Sequence, residues 1–190
     1  MAESGMRRGA LAHRGAVAAF RGGGVRLAER PLRPILLLRG APEAGFLDAV
    51  SAILGGAPPT APNTATETGT ATLLWLGPDE WLVQIADEAA PDIPSALADA
   101  LTGHHAALVD VRDGRTVIRV AGPGATALLA QGCSLDLHPR AFSGVAQTLL
   151  AKVDILLHRV TDDEGEPAFD VHVGRSYADY LWRWLTAAAG

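Results

Sequence analysis

An α+β fold made of two repeats is what this sequence predicts, and three observations predict it. Short alternating apolar runs are interleaved with segments of helical spacing, in the order β-α-β-β-α-β and then β-α-β-β-α. The first six elements have the ferredoxin-like split βαβ order, and the last five begin it again. The two starts also resemble each other. Residues 35–38, Arg39-Gly40-Ala41-Pro42 and a helix ending in glycine match residues 117–120, Ala121-Gly122-Pro123-Gly124 and a helix ending at Gly132. The expected architecture is a duplication of ferredoxin-like βαββαβ halves in a single domain, 25–190. Those halves are about 25–112 and 115–190, behind a flexible N-terminal arm, 1–24.

Each element rests on a local signal. Residues 1–24 are rich in Gly, Ala and Arg without a clear period, hence the arm. Pro31 and Pro34 bracket the approach to Ile35-Leu36-Leu37-Leu38, a buried strand. Pro42 suits a helix start, and Phe46, Leu47, Val50, Ile53 and Leu54 fall at helical spacing before Gly55-Gly56 stops it. Residues 57–70 read as a polar loop with scope for mobility. Strands follow at 71–76 and 81–85, joined by Gly77-Pro78-Asp79-Glu80, and then a helix at about 91–101.

Asp113-Gly114 between two alternating runs is a hairpin signal, because such a two-residue turn needs positive φ. It pairs Arg112 with Arg115, Val111 with Thr116 and Val109 with Ile118. Val109, Val111, Thr116, Ile118 and Val120 then share a core face. Leu108, Asp110, Arg112, Arg115, Val117 and Arg119 share the other. Gly122-Pro123-Gly124 leads into a helix through Gln131. Residues 148–158 alternate as one strand, with Leu149, Ala151, Val153, Ile155 and Leu157 on one side and Lys152, Asp154 and His158 on the other. After a solvated acidic turn at 162–167, Phe169, Val171 and Val173 alternate with Asp170 and His172. The last helix opens at Ser176 with Asp179 three residues on, a variant of the capping box. Tyr177, Tyr180, Leu181, Trp184, Leu185 and Ala188 cover one of its faces, with Trp182 at the edge.

Bulk properties narrow the function. The chain has 190 residues, 48% hydrophobic and 19% charged, enough for one good core. A net charge of −5 argues against nucleic-acid binding by bulk electrostatics. The single cysteine, Cys133, rules out an internal disulfide and suits a reducing compartment, so the expected location is cytoplasmic. No run approaches the roughly 18 apolar residues of a membrane helix. Glycines and Glu3 break any apolar core of a signal peptide among the N-terminal arginines.

The motifs with chemical potential are weak. Gly122-Pro123-Gly124-Ala125-Thr126-Ala127 matches a loose dinucleotide pattern, but the carboxylate expected about 20 residues on is missing, Asp136 being too early and Asp154 too late. It reads as a tight strand-to-helix turn. Cys133 and His138, with His104, His105, His158 and His172, show no zinc-like spacing. Cys133 reads as a small buried side chain. Asp79 and Glu80 on a turn beside Trp81 read as solvated acids, with Trp81 entering the core. The arginine face (Arg112, Arg115 and Arg119, with Asp110) has two readings: a solvated sheet face, or a docking surface or carboxylate site, since guanidinium forks suit carboxylates. No nucleophile–base pair, metal set or phosphate loop is present, so no catalytic, cofactor-binding or metal-binding residue is assigned.

Several blocks taken together resemble the gamma subunit family of heterotetrameric sarcosine oxidase. They are Gly77-Pro78-Asp79-Glu80-Trp81-Leu82, Asp110-Val111 with Asp113-Gly114-Arg115-Thr116 through Gly122-Pro123-Gly124-Ala125, and Gly132-Cys133 with Leu135-Asp136-Leu137-His138-Pro139. Gln147-Thr148-Leu149-Leu150-Ala151-Lys152-Val153 and Arg175-Ser176-Tyr177-Ala178-Asp179-Tyr180-Leu181-Trp182-Arg183-Trp184-Leu185 complete the set. The resemblance runs from about residue 25 to 190 and leaves the arm uncovered.

It implies an enzyme of alpha, beta, gamma and delta subunits that oxidises sarcosine to glycine with oxygen, forming hydrogen peroxide. With tetrahydrofolate present, it captures the one-carbon unit as methylenetetrahydrofolate. FAD, covalent FMN and NAD are then held by alpha and beta, zinc by delta, and no cofactor by this chain. The implied fold is similar to the folate-binding domain of the glycine-cleavage aminomethyltransferase. The expected role is non-catalytic support of the folate-handling part of alpha, through an interface of Arg112, Arg115, Arg119 and Trp182. Two alternatives stay open: a stand-alone folate-binding or one-carbon-transfer protein of this fold, and the same subunit in a complex acting on another N-methyl amino acid.

Overall fold

In the computed structural model, residues 8–15, 17–20, 24–86, 92–161 and 165–190 are described. In chain order the elements are β1 (Val17–Phe20), β2 (Val25–Glu29), β3 (Ile35–Gly40), α1 (Ala44–Leu54), β4 (Ala65–Glu67), β5 (Ala71–Gly77), β6 (Glu80–Ile85) and α2 (Asp92–Ala100). Then come β7 (Ala106–Asp110), β8 (Arg115–Ala121), α3 (Ala125–Ala130), β9 (Val145–Leu150), β10 (Val153–Thr161), β11 (Pro167–Gly174) and α4 (Ala178–Ala189). Two antiparallel sheets result, one ordered β4-β5-β6-β3-β7 and the other β1-β2-β8-β11-β10-β9.

Within the first sheet, β5-β6-β3-β7 is the ferredoxin-like order, with α1 and α2 as its two helices. The second sheet repeats it as β10-β11-β8-β2. Its fourth strand is β2, from ahead of the first half, so the strand missing from the final β-α-β-β-α is supplied by the N-terminus. The expected half of 25–112 therefore divides: residues 25–29 belong to the second sheet. Val25 and Leu27 are buried in the core of that sheet, which gives the reason. Each half also gains an edge strand before its second hairpin, β4 on β5 and β9 on β10.

Alternation distributes the apolar side chains over three cores. Leu36, Leu38, Leu73, Trp81 and Val83 face α1 and α2, where they meet Phe46, Val50, Leu54 and Leu97. Ile118, Val120, Ile155, Leu157, Phe169, Val171 and Val173 face α3 and α4, meeting Leu128, Leu129, Leu181, Trp182 and Leu185. The other faces meet each other: Ile35, Leu74, Leu82, Val117, Val145 and Leu156 form a core between the sheets. The layers run helix, sheet, sheet, helix.

Several expectations need correction. Asp113-Gly114 does not turn a hairpin. Residues Arg112–Gly114 form a single 3-10 turn, and β7 and β8 part into different sheets. Asp110 accepts a hydrogen bond from the Arg112 backbone N–H at 3.0 Å, a local turn that competes with ladder pairing. Each strand also has a better partner, β7 on β3 and β8 between β2 and β11. Val109, expected in the core, is 51% exposed, while Leu108 packs towards the helices of the first sheet.

Residues 148–158 are two strands, not one. Ala151 and Lys152 make a tight turn at φ 49° and 69°, a conformation the sequence does not advertise because neither residue is Gly or Asn. Leu149, expected inside, is half-exposed on β9. Part of the arm 1–24 is built into the fold: Leu11 is fully buried, its N–H reaches Glu29, and β1 pairs with β2. The loop at 57–70 contains β4, and Trp81 Nε1 donates to the Pro59 carbonyl across it. At the last helix, a 3-10 turn (Arg175–Tyr177) precedes α4, and no side chain caps it. Asp179 instead accepts from Arg14 at 2.5 Å and pairs with Arg183 at 2.8 Å.

Close approach dictates the glycine at the end of β8. Gly122, at φ +108°, sits where a Cβ would lie 2.1 Å from the Gly24 carbonyl oxygen. The Gly-Pro-Gly run thus lets the turn from β8 into α3 pass close to the entry to β2. Part of the acidic turn, 162–164, and the expected helix start at Pro91 lie outside the described residues.

Candidate functional site

The polar residues of β8, β10 and β11 converge between the sheets. On β11, Phe169, Val171 and Val173 point to the helices, so Asp170 and His172 point to the other sheet. Asp170 lies opposite Arg119 on β8 and opposite His158 on β10, giving a transverse row of His158, Asp170 and Arg119. His172 lies one row over, between Val117 and Leu156 of the inter-sheet core. Arg115 ends the next row, opposite Gly174.

Arg119 and Asp170 form a bidentate pair, Nε to Oδ1 at 2.5 Å and Nη2 to Oδ2 at 2.9 Å, with the carboxylate side chain only 9% exposed. Burial pushes the Asp170 pKa up, but the Arg119 hydrogen bonds and charge, with His172 and Arg30, outweigh it and hold it below the ordinary value. His158 lies 3.8 Å from Glu67 of β4, and burial lowers its pKa against the pull of Asp170 and Glu67. His172 is completely buried, and neither ring nitrogen has a hydrogen-bond partner among the described residues. Burial lowers its pKa to about 4.

Chemically, this row locks the sheet through a fixed ion pair beside two neutral imidazoles. It places no nucleophile against a base. Among the described residues no group of three or more His, Cys, Asp or Glu side chains is arranged to hold a metal ion, and no helix is long and apolar enough to cross a membrane.

The sign of the pH dependence follows from His172. Its folded pKa is depressed, so below its ordinary value of 6.5 the unfolded chain takes up a proton that the fold refuses. Stability present above pH 6.5 is therefore lost as pH falls towards 4, by up to about 1.4 kcal/mol per pH unit from this one group. His158 is shifted in the same direction and steepens the slope. Urea unfolding between pH 4 and 8 should show the fall, and His172→Phe should flatten it. An unchanged slope in that variant would remove His172 as the cause.

The four residues expected to form an interface do not share one surface. Arg119 is committed to Asp170. Trp182 is 5% exposed and packs in the core on the far side of the second sheet, because α4 turns its edge inward onto β8–β11. Arg112 is held in the turn by Asp110, with Nη2 to Oδ2 at 2.7 Å. The half-buried Arg115 side chain has no hydrogen bond or ion pair within 4 Å among the described residues, and Glu80 on β6 of the other sheet acts on it at longer range. Burial lowers its pKa. Of the acids on the β5–β6 turn, Asp79 is exposed near Arg39 at 3.8 Å, while Trp81 is fully buried. Cys133 is buried beside Thr148.

The Asp170–His172–His158 cluster was missed at the sequence level. Its signal was the period-two pattern of β11, which assigns the two polar residues to one face. Nothing local says that a second sheet covers that face.

The chain matches the model of the sarcosine oxidase, gamma subunit family over residues 39–190. It is 33% identical over 170 residues to sarcosine oxidase subunit gamma of Corynebacterium sp. strain P-1, covering 87% of this chain and 80% of that protein. It is also 33% identical over 154 residues to the gamma subunit of an Arthrobacter species, covering 80% and 73%. Among solved structures, it is similar to a chain of heterotetrameric sarcosine oxidase from Corynebacterium sp. U-96 in complex with pyrrole 2-carboxylate. The TM-score is 0.83 at 29% identity, over 97% of this chain and 95% of that one. Glycine cleavage system aminomethyltransferase T from Bartonella henselae shares the fold, with TM-score 0.63 at 16% identity, over 85% of this chain and 45% of that one.

Proposed function

Because the chain belongs to the sarcosine oxidase gamma subunit family, we propose that it serves as the gamma subunit of a heterotetrameric sarcosine oxidase in the cytoplasm. The observation that carries this is the family match across 39–190, which takes in β4 to β11, strands of both sheets, and the cluster between them. The complex oxidises sarcosine to glycine and forms hydrogen peroxide. Tetrahydrofolate captures the one-carbon unit, and FAD, FMN, NAD and zinc sit on the alpha, beta and delta subunits. The part of this chain is structural: it buttresses the folate-handling region of alpha without a catalytic residue of its own. Its polar cluster fits that role: the one deeply buried carboxylate among the described residues, Asp170, is held by both of its oxygens on Arg119. For the contact with alpha we propose Arg115, whose half-buried side chain has no hydrogen bond or ion pair within 4 Å among the described residues, together with Arg112, which Asp110 holds three residues before it.

Deletion tests the reading. Co-expression of the four subunits should yield a yellow complex with sarcosine-dependent peroxide formation. Omitting this chain should reduce recovered complex and folate coupling at least tenfold. Full assembly and coupling without it would reject the role. Tight tetrahydrofolate binding by the isolated chain would favour a stand-alone folate protein instead.

A further inference from the structure

Resting on the gamma-subunit reading, we propose that the groove across the Arg115 end of the second sheet docks an extended segment of a partner subunit. That segment carries an acidic side chain for Arg115, an apolar side chain over Gly174, and a basic side chain for Asp154.

The groove has a volume of about 630 Å³, and Arg115, Gly174, Asp154, Leu149, Tyr177 and Leu76 are among its lining residues. Leu149 and Tyr177 are 49% and 56% exposed, two of the four large hydrophobic residues that are exposed among the described residues. Isolated exposed apolar side chains are ordinary. Two beside a half-buried arginine in one concavity have the composition of an interface core, where Tyr and Arg are enriched.

Charge decides the occupant. Arg115 loses water to burial without gaining a hydrogen bond or close ion pair among the described residues. An incoming carboxylate would restore a partner in fork geometry. Gly174 lies opposite Arg115 on β11, and Asp154 precedes Ile155, which pairs with Val173 on the next strand. The two charges are therefore about two strand spacings, or roughly 10 Å, apart at the backbone. Between them Gly174 offers no side chain, and a Cβ added there would meet only the Tyr177 ring at 3.5 Å. The floor is open by composition, with a cation at one side and a carboxylate at the other. A polypeptide with alternating acid, apolar and base complements both. With a single arginine and an opposing carboxylate, the groove does not suit a nucleic-acid backbone.

The test uses the co-expressed complex, tagged on this chain. Arg115→Glu, Asp154→Lys and Leu149→Lys should each weaken assembly, read as a 10- to 100-fold rise in dissociation constant by mass photometry on dilution. Thermal melts check each fold. Leu149→Lys alters only a half-exposed edge-strand side chain and keeps the test decisive if a charge reversal unfolds. A photo-crosslinking residue at position 149 should capture a peptide of another subunit with an acid and a base flanking an apolar residue. Wild-type assembly by the folded variants, or crosslinks only to a second copy of this chain, would overturn the groove and leave the subunit reading standing. Failure of the wild-type chain to join the complex would remove both.

Discussion

Asp170→Ala is expected to destabilise the purified chain by about 3–5 kcal/mol, the usual cost of removing one member of a buried ion pair. The Arg119 guanidinium, with its side chain 19% exposed, would be left between the sheets without its bidentate partner. His158 and His172 would lose the one carboxylate that favours a proton on both of them. For a chain of this size, the melting temperature should fall by roughly 10 °C or more. Replacing both partners with apolar residues, Arg119→Met with Asp170→Leu, should recover most of the loss, since it removes the buried charge that lost its carboxylate as well as the pair. A melting point within 2 °C of wild type for Asp170→Ala would show that the pair does not hold the sheet.

Trp81→Ala should cost about as much, roughly 3–5 kcal/mol, through a different mechanism. Trp81 is fully buried, stacks on Phe46 with ring centroids 5.7 Å apart, and donates Nε1 to the Pro59 carbonyl at 2.8 Å. It therefore joins β6, α1 and the loop before β4. Gly40 completes the packing, because a Cβ there would lie 2.4 Å from the Phe46 ring. Trp81→Phe keeps an aromatic ring in the site but abandons the carbonyl, so its cost should be nearer 1–2 kcal/mol. Equal destabilisation by the two variants in urea unfolding would mean that the hydrogen bond, not the ring, carries the site.

The duplicated ferredoxin-like order was legible because its signals are local. The helical spacing of Phe46, Val50 and Leu54 and the alternation of Phe169, Val171 and Val173 state which side chains share a face. The entry of Trp81 into the core and the burial of Cys133 were legible for the same reason. The Asp113-Gly114 hairpin failed because a turn signal describes four residues, whereas strand partners are chosen across the whole chain. The single strand at 148–158 failed for the converse reason. A two-residue turn at Ala151-Lys152 leaves the polarity pattern looking continuous, and positive φ at Ala and Lys has no sequence mark. Trp182 illustrates a third limit. Its place at the margin of the helical face was read from the helix alone, and the packing of α4 on β8–β11 turned that margin inward.

By itself the sequence determined the element types, the repeat, the family, and the alternation that sets Asp170 and His172 apart from their apolar neighbours. Tertiary structure alone decided that β2 completes the second half, that β7 and β8 belong to different sheets, and that the arginine face of β8 lies against another sheet. The physical reason is range. Periodicity and turn chemistry act over a few residues, while strand pairing and the burial of a charge depend on what packs from far along the chain. Arg115 and Arg119 read identically in sequence, and only the position of Asp170 on a strand 51 residues away from Arg119 separates a committed guanidinium from an available one.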